Sequence, residues 1–119
     1  MRIQQMIEEI RNRPDAGRIG MILSHVGLVR DSSRDGRQVS ELTVMVDHAR
    51  LQALIEKEKQ ASGIVDIRVE IEEGRPLTVG DEIMRLVVAG DIRENVIAVL
   101  ERTLTAIKTE ATSKTEIYV

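Results

Sequence analysis

The sequence predicts a single α+β domain over residues 1–119, with one antiparallel or mixed sheet and a long helix near its C-terminal end. A chain of 119 residues has the usual length of one domain. Hydrophobic residues make up 42% and charged residues 31%, which is typical of a folded, soluble chain. Segments of helical spacing and segments of strand alternation follow one another without a repeat, a linker or a low-complexity stretch.

The first two elements are a helix and a strand. Apolar residues at helical spacing predict an amphipathic helix over residues 3–12, and Pro14 and Gly17 end it. Residues 18–30 are mostly apolar and β-branched, so they predict a long strand. Gly27 within this strand indicates a bulge or a close backbone approach.

A turn, a second strand and a second helix follow. The polar segment 31–37 contains Asp35-Gly36, a strong hairpin signal, so residues 39–46 are expected to return as the partner strand. Asp47 is expected to cap a helix that runs to about residue 62 and that Gly63 ends.

The second half predicts two strands, the longest helix and a short tail. Residues 64–71 alternate as a half-buried strand, and residues 82–89 are apolar enough for a buried one, with turns at 72–76 and 79–81. Asp91 is expected to be the N-cap of a helix in a variant of the capping box. Its apolar stripe consists of Ile92, Val96, Val99, Leu100, Leu104 and Ile107. The last five residues, 115–119, favour a terminal strand.

Composition excludes several classes of function. The chain has no Cys, so disulfides, thiolate metal sites and a catalytic thiol are absent. Tyr118 is the only aromatic residue and the net charge is −3, which argues against base stacking and nucleic-acid binding. No phosphate-loop motif is present, and His25 and His48 lie in different predicted elements, so a zinc site is not expected. His25 is interpreted as a hydrogen-bonded strand histidine.

No apolar run is long enough to span a membrane. The N-terminus opens directly into the amphipathic pattern, with neither an apolar signal core nor a cleavage site. We therefore expect a cytoplasmic protein.

The basic residues are the best candidates for a site. Arg30 follows the first strand, and Arg34 and Arg37 lie in the loop after it, where a guanidinium can bind an anion through its fork of donors. A solvated loop tip is the alternative interpretation. Arg93 lies in the first turn of the longest helix, where it either serves a ligand or pairs with a neighbouring glutamate, Glu94 or Glu101.

Two lysines follow on the C-terminal side. Lys108 continues the apolar row of Leu100 and Leu104, so it is either partly desolvated, which suits acid–base or nucleophilic chemistry, or extended to water. Lys114 lies six residues later. Arg93 and Lys108 are separated by roughly 22 Å if one helix joins them, so they act on one small ligand only if two chains contribute.

Several of these segments resemble the large, catalytic subunit of molybdopterin synthase. Residues 27–31, Gly-Leu-Val-Arg-Asp, with the polar loop after them, are similar to its Val-Gly-x-Val-Arg segment. Residues 6–29 resemble its opening helix, turn and first strand, and residues 79–83 resemble its Pro-Gly-Asp-Glu strand start. The spacing from there to Lys108 matches without a gap. Arg93 falls on the Arg of the family's His-Arg pair, and Lys108 falls on its first catalytic lysine.

The resemblance implies an α/β-hammerhead type of α+β fold and a homodimer. Each large subunit would bind a small ubiquitin-like sulfur carrier, giving a heterotetramer. Two sulfurs would pass from the carrier's Gly-Gly thiocarboxylate to cyclic pyranopterin monophosphate, forming the dithiolene of molybdopterin without a metal or redox cofactor in this subunit.

The resemblance also assigns roles to the basic residues. Lys108 would assist sulfur transfer as an acid–base group or a transient covalent partner, with Lys114 beside it. Phosphate or carboxylate groups would be bound by Arg30 and Arg93. From their position in the loop after the first strand, Arg34 and Arg37 are also expected to bind the substrate.

The sequence departs from the family at four places. Ile92 replaces the His of the His-Arg pair, and His25 replaces a Phe. Residues 46–48 lack a Tyr, and the segment 108–114 is one residue shorter than its counterpart and lacks a Pro and an aromatic. Three functions therefore stay open: an active synthase subunit, a non-catalytic dimeric paralogue that binds or regulates, and a sulfur-transfer enzyme with another acceptor.

Overall fold

Residues 2–119 form three α-helices and two three-stranded antiparallel sheets in a computed structural model. The order along the chain is α1 (Arg2–Arg11), β1 (Met21–Leu28), β2 (Val39–Val46), α2 (His48–Lys59), β3 (Ile64–Ile71), β4 (Leu77–Thr78), β5 (Glu82–Gly90), α3 (Arg93–Ala106), a π-helical turn (Ile107–Ala111) and β6 (Thr112–Tyr118). The first sheet has the strand order β1-β5-β3 and the second has the order β4-β2-β6.

The predicted hairpin between the first two strands is wrong. The Asp35-Gly36 turn forms, with Gly36 at a φ of +87°. Beyond it the strands separate, because β1 pairs with β5 and β2 pairs with β6. Turn chemistry fixes only the local reversal, whereas the apolar faces of the strands select their partners. The single predicted sheet is therefore two sheets.

The first sheet is covered on both faces. Leu86, Val87, Val88 and Ala89 of β5 are fully buried. Helix α1 packs on the face of Val87 and Ala89, whereas α3 packs on the face of Leu86 and Val88. The second sheet has its own small core, formed by Val29, Leu42, Val44 and Leu77.

The remaining elements follow the sequence with corrections at their ends. Asp47 caps α2 as predicted, because its carboxylate accepts the Arg50 amide at 3.1 Å. The register of β1 shifts after Gly27, which confirms the bulge. The terminal strand is also confirmed and begins earlier than predicted, at Thr112. The short strand β4 was not predicted.

The start of α3 differs from the prediction by one residue. Ile92 occupies the N-cap position, so Asp91 is not the N-cap. The Asp91 carboxylate instead accepts the side-chain amide of Asn95 and the backbone amide of Ile92, and these bonds hold the pKa of Asp91 below its ordinary value. Ile92 itself is 53% exposed, so it does not belong to the buried stripe.

Candidate functional site

A cleft of about 610 Å³ lies between the two sheets, and we call it the inter-sheet cleft. Its walls are aliphatic and its polar groups are mostly basic. The lining residues are His25, Arg34, Leu42, Val44, Ile71, Ile83, Met84, Leu104, Ile107, Lys108, Thr112, Ser113 and Lys114. Three of the six predicted site residues, Arg34, Lys108 and Lys114, are therefore brought to one cavity.

The two lysines reach the cleft from either side of the junction between α3 and β6. Lys108 lies in the π-helical turn after α3, which the Thr112 hydroxyl closes by donating to the Ile107 carbonyl at 3.1 Å. Turns of this type recur at functional sites because they break the helical repeat. Lys108 is exposed rather than desolvated, so the structure favours the solvated alternative.

Lys114 is positioned by strand register. It pairs with Val44 across β6 and β2. Cross-strand partners share a face of a sheet. Val44 is buried and lines the cleft, so Lys114 is directed to the same side.

The loop between β1 and β2 supplies the third cation. Arg34 is exposed and lines the cleft together with the two lysines. Arg37 of the same loop is directed elsewhere, because its guanidinium carbon lies 3.6 Å from the centroid of the Tyr118 ring. The loop therefore contributes one of its two predicted arginines to the cleft.

Arg30 and Arg93 do not line the cleft. Arg30 is exposed after the buried Val29. Arg93 begins α3, at the opposite end of that helix from Lys108. Its side chain is 76% exposed, and its Nε lies 3.8 Å from Glu94, the nearer of the two glutamates considered as partners.

His25 is the residue that sequence reasoning missed. Its side chain lines the cleft. Its predicted place in a strand is confirmed, whereas none of the hydrogen bonds within residues 2–119 involves its ring. The signal was present in the strand alternation, since Ser24 and Val26 on either side of it are exposed. His25 pairs with Leu86 and therefore shares the inner face of the sheet. The other histidine, His48, contacts Glu73 at 2.7 Å.

The electrostatics of the cleft favour an anion. None of the described lining residues is Asp or Glu. Among the ion pairs formed within residues 2–119, none includes Arg34, Lys108 or Lys114. Cations that lack a carboxylate partner at a concave apolar surface attract and bind an anionic group. Lysine amines can also exchange protons or attack a carbonyl carbon.

The described part of the chain has neither a candidate metal site nor a helix that could span a membrane. It contains no cluster of three or more His, Asp or Glu side chains that could hold a metal ion. None of its helices combines the length and the hydropathy needed to cross a membrane.

Comparison with protein families identifies the chain. The family model described as MoaE protein matches residues 1–110. The chain belongs to the MoaE protein family. The match confirms the family that the sequence motifs indicated, and it makes the chain a molybdenum cofactor biosynthesis protein of the large-subunit type. No curated protein sequence matches the chain.

Solved structures share the fold. Molybdopterin synthase from Staphylococcus aureus aligns with a TM-score of 0.72 at 18% identity, over 90% of this chain and 85% of that one. The MoaE protein of Burkholderia ambifaria aligns with a TM-score of 0.76 at 22% identity, over 98% of this chain and 81% of that one. A chain in a complex of subunits 1 and 2 of molybdopterin-converting factor from Helicobacter pylori aligns with a TM-score of 0.71 at 19% identity. The alignment covers 100% of this chain and 84% of that one. These similarities confirm the α+β fold with antiparallel strands.

Proposed function

We propose that this MoaE family member is an active large subunit of molybdopterin synthase in the cytoplasm. It accepts sulfur from the thiocarboxylated C-terminus of a small carrier subunit and transfers it to cyclic pyranopterin monophosphate. The observation that carries the proposal is the convergence of Arg34, Lys108 and Lys114 on one cleft without a carboxylate. The Helicobacter pylori structure, a complex of two subunits, supports a small protein as the partner.

The chemistry assigned to each cation follows from its position. Lys108 and Lys114 approach from one junction, so one can bind an anionic group while the other exchanges a proton with the reacting centre. Arg34, as a planar fork of donors, binds a phosphate or carboxylate oxygen. No catalytic metal is required for these steps.

A second chain completes the site in this proposal. Arg93 begins α3 and Lys108 lies in the turn that follows its last residue, roughly 22 Å away by helical rise, so one cleft does not bring them together within one chain. We propose a homodimer in which Arg93 and Arg30 of one protomer bind the ligand in the cleft of the other. With two carriers the assembly is a heterotetramer.

A reconstituted assay tests the proposal. The protein is mixed with a thiocarboxylated small subunit and cyclic pyranopterin monophosphate, and the dithiolene product is oxidised to its fluorescent derivative. We expect product from the wild type and a loss of about 100-fold or more with Lys108→Ala, as is usual when an acid–base group is removed. Lys57→Ala, at an exposed position on α2, is the matched control and should keep full activity.

The alternative of a non-catalytic paralogue has one structural observation in its favour. Ile92 places an exposed apolar side chain beside Arg93, where the sequence motif of the family has a ring donor. A folded protein that binds the carrier yet makes no product with it would support the paralogue. Product from another acceptor, with no turnover of the pyranopterin, would support the third function.

A further inference from the structure

The loop that carries Arg34 is fastened to the C-terminal strand. We call residues 31–38 the arginine loop. The Arg37 guanidinium stacks on the ring of Tyr118, with 3.6 Å between its carbon and the ring centroid. The Val119 amide donates to the Gln38 carbonyl at 3.0 Å. Tyr118 is the only aromatic residue of the chain, so no other aromatic side chain could take its place against Arg37.

The loop between these contacts is closed on itself. The Ser33 amide donates to the Arg37 carbonyl at 2.8 Å, and the Gly36 amide donates to the Ser33 carbonyl at 3.0 Å. The Ser33 hydroxyl contacts the Asp35 carboxylate, and this contact, with the Arg37 amide, holds the pKa of Asp35 below its ordinary value. Hydrogen bonds therefore join residues 33–37, so a restraint on Arg37 also restrains the backbone on either side of Arg34.

Strand β6 links the loop to the catalytic side of the cleft. It carries Lys114 at the cleft and Tyr118 at the loop, four positions later. At about 3.3 Å per residue these positions are roughly 13 Å apart on one continuous strand. One element therefore sets the position of a cleft lysine and, through Tyr118, the position of the loop arginine.

We propose that the stack of Arg37 on Tyr118 positions Arg34 for the anionic group of the substrate. Tyr118 and Arg37 are positioning residues, since they act on the ligand only through Arg34. The inference rests on the proposed function. A planar guanidinium can stack on an aromatic face, whereas an ammonium or an aliphatic side chain does not reproduce that geometry. Loss of the ring therefore weakens anion binding and leaves the lysine chemistry intact.

Kinetics of matched variants test the inference. Tyr118→Leu should raise the KM for cyclic pyranopterin monophosphate by about two- to five-fold, the range that an exposed cation–π contact supports, with kcat unchanged. Tyr118→Phe keeps the ring and should behave as the wild type. In an Arg34→Gln background, Tyr118→Leu should have no further effect, because the residue it positions is gone.

Two measurements do not depend on turnover. Hydrogen exchange by mass spectrometry should show faster exchange of residues 31–38 in Tyr118→Leu and in Arg37→Lys, with no change in Tyr118→Phe. Calorimetric titration with inorganic pyrophosphate should show weaker binding in the same two variants. These results would support the stack as a positioning device even if the wild type made no molybdopterin, which would overturn only the proposed function.

Three outcomes would overturn the inference. Equal effects of Leu and Phe at position 118 would show that the ring does not act. Additive effects of Tyr118→Leu and Arg34→Gln would show that Tyr118 acts on something other than Arg34. Unchanged exchange in the arginine loop would show that the stack does not restrain it.

Discussion

At the scale of single residues, Arg85 is the central charge of the first sheet. Its guanidinium contacts Glu70 at 3.2 Å and both Glu72 and Glu82 at 2.8 Å, and its side chain is only 8% exposed. A buried cation of this kind is tolerated because several carboxylates compensate its lost hydration. Its removal leaves those carboxylates close together without a counter-charge.

We therefore expect Arg85→Met to lower the free energy of unfolding by about 2–4 kcal/mol, measured by chemical denaturation. Arg75→Met is the matched control. Arg75 contacts Glu72 at 3.5 Å, yet its side chain is 57% exposed, and such surface pairs contribute about 0–1 kcal/mol. Equal losses in the two variants would contradict the importance of burial.

The same cluster predicts a pH dependence. The hydrogen bond from Arg85 holds the pKa of Glu72 below its ordinary value of 4.5. A carboxyl whose folded pKa is depressed stabilises the fold fully above its unfolded pKa, and this contribution disappears as pH falls through the folded pKa. The difference in unfolding free energy between wild type and Glu72→Gln should therefore be largest near pH 7 and should vanish in strong acid. A difference that stays constant with pH would refute this assignment.

The candidate residues show what a sequence can predict about a site. Lys108 stands out because it continues an apolar helical row, and Lys114 was placed beside it by the family resemblance. The structure brings both lysines to the cleft. His25 lies within the first strand and Arg30 follows the end of that strand, yet only His25 lines the cleft. Strand alternation gives the face of His25, but the opposite wall of the cleft belongs to the second sheet, whose existence local patterns do not reveal.

At the scale of elements, the junction between β5 and α3 depends on Asp91. Its carboxylate accepts two hydrogen bonds from the start of α3, one from Ile92 and one from Asn95. Asp91→Ala should cost about 1 kcal/mol of stability, the net contribution of a hydrogen bond of this kind. Asp31→Ala, at an exposed position in the arginine loop, should change stability by less than about 0.5 kcal/mol. Thermal denaturation of both variants tests this prediction. A larger loss of stability in Asp31→Ala than in Asp91→Ala would contradict it.

Element identity was predictable, whereas strand pairing was not. The strand over Ile64–Ile71 is confirmed to the residue, because β-branched residues alternate with charged ones along it in the sequence. The two-residue strand Leu77–Thr78 is too short to carry a pattern. The separation of β1 from β2 depends on β5 and β6, which lie far along the chain, so the Asp35-Gly36 turn could not indicate it.

At the scale of the whole molecule, the chain is elongated. Its principal extents are 49, 27 and 24 Å, and its radius of gyration is 15.3 Å. A chain of this length in a compact shape would have about 13.5 Å. The inter-sheet cleft is lined by residues of both sheets. Exposed apolar side chains at Leu28, Met45, Ile92 and Ile117 are consistent with further association.

The composite site makes a quantitative prediction about mixed dimers. If Arg93 of one protomer serves the cleft of the other, Lys108→Ala and Arg93→Ala should each abolish turnover as homodimers. When the two variants exchange subunits at equal amounts, half of the dimers are mixed, and each has one complete site and one doubly impaired site. Activity should therefore return to about a quarter of the wild-type level, as two-fold symmetry requires.

Sedimentation of the same mixture supplies the control, since each species should have twice the mass of the 13.3 kDa chain. If the mixture sedimented as dimers and exchanged subunits without regaining activity, Arg93 and Lys108 would not belong to one shared site. A 13.3 kDa monomer with full activity would exclude the dimer itself. Because each variant protomer lacks one of the two residues, activity restored by mixing has no explanation within one protomer.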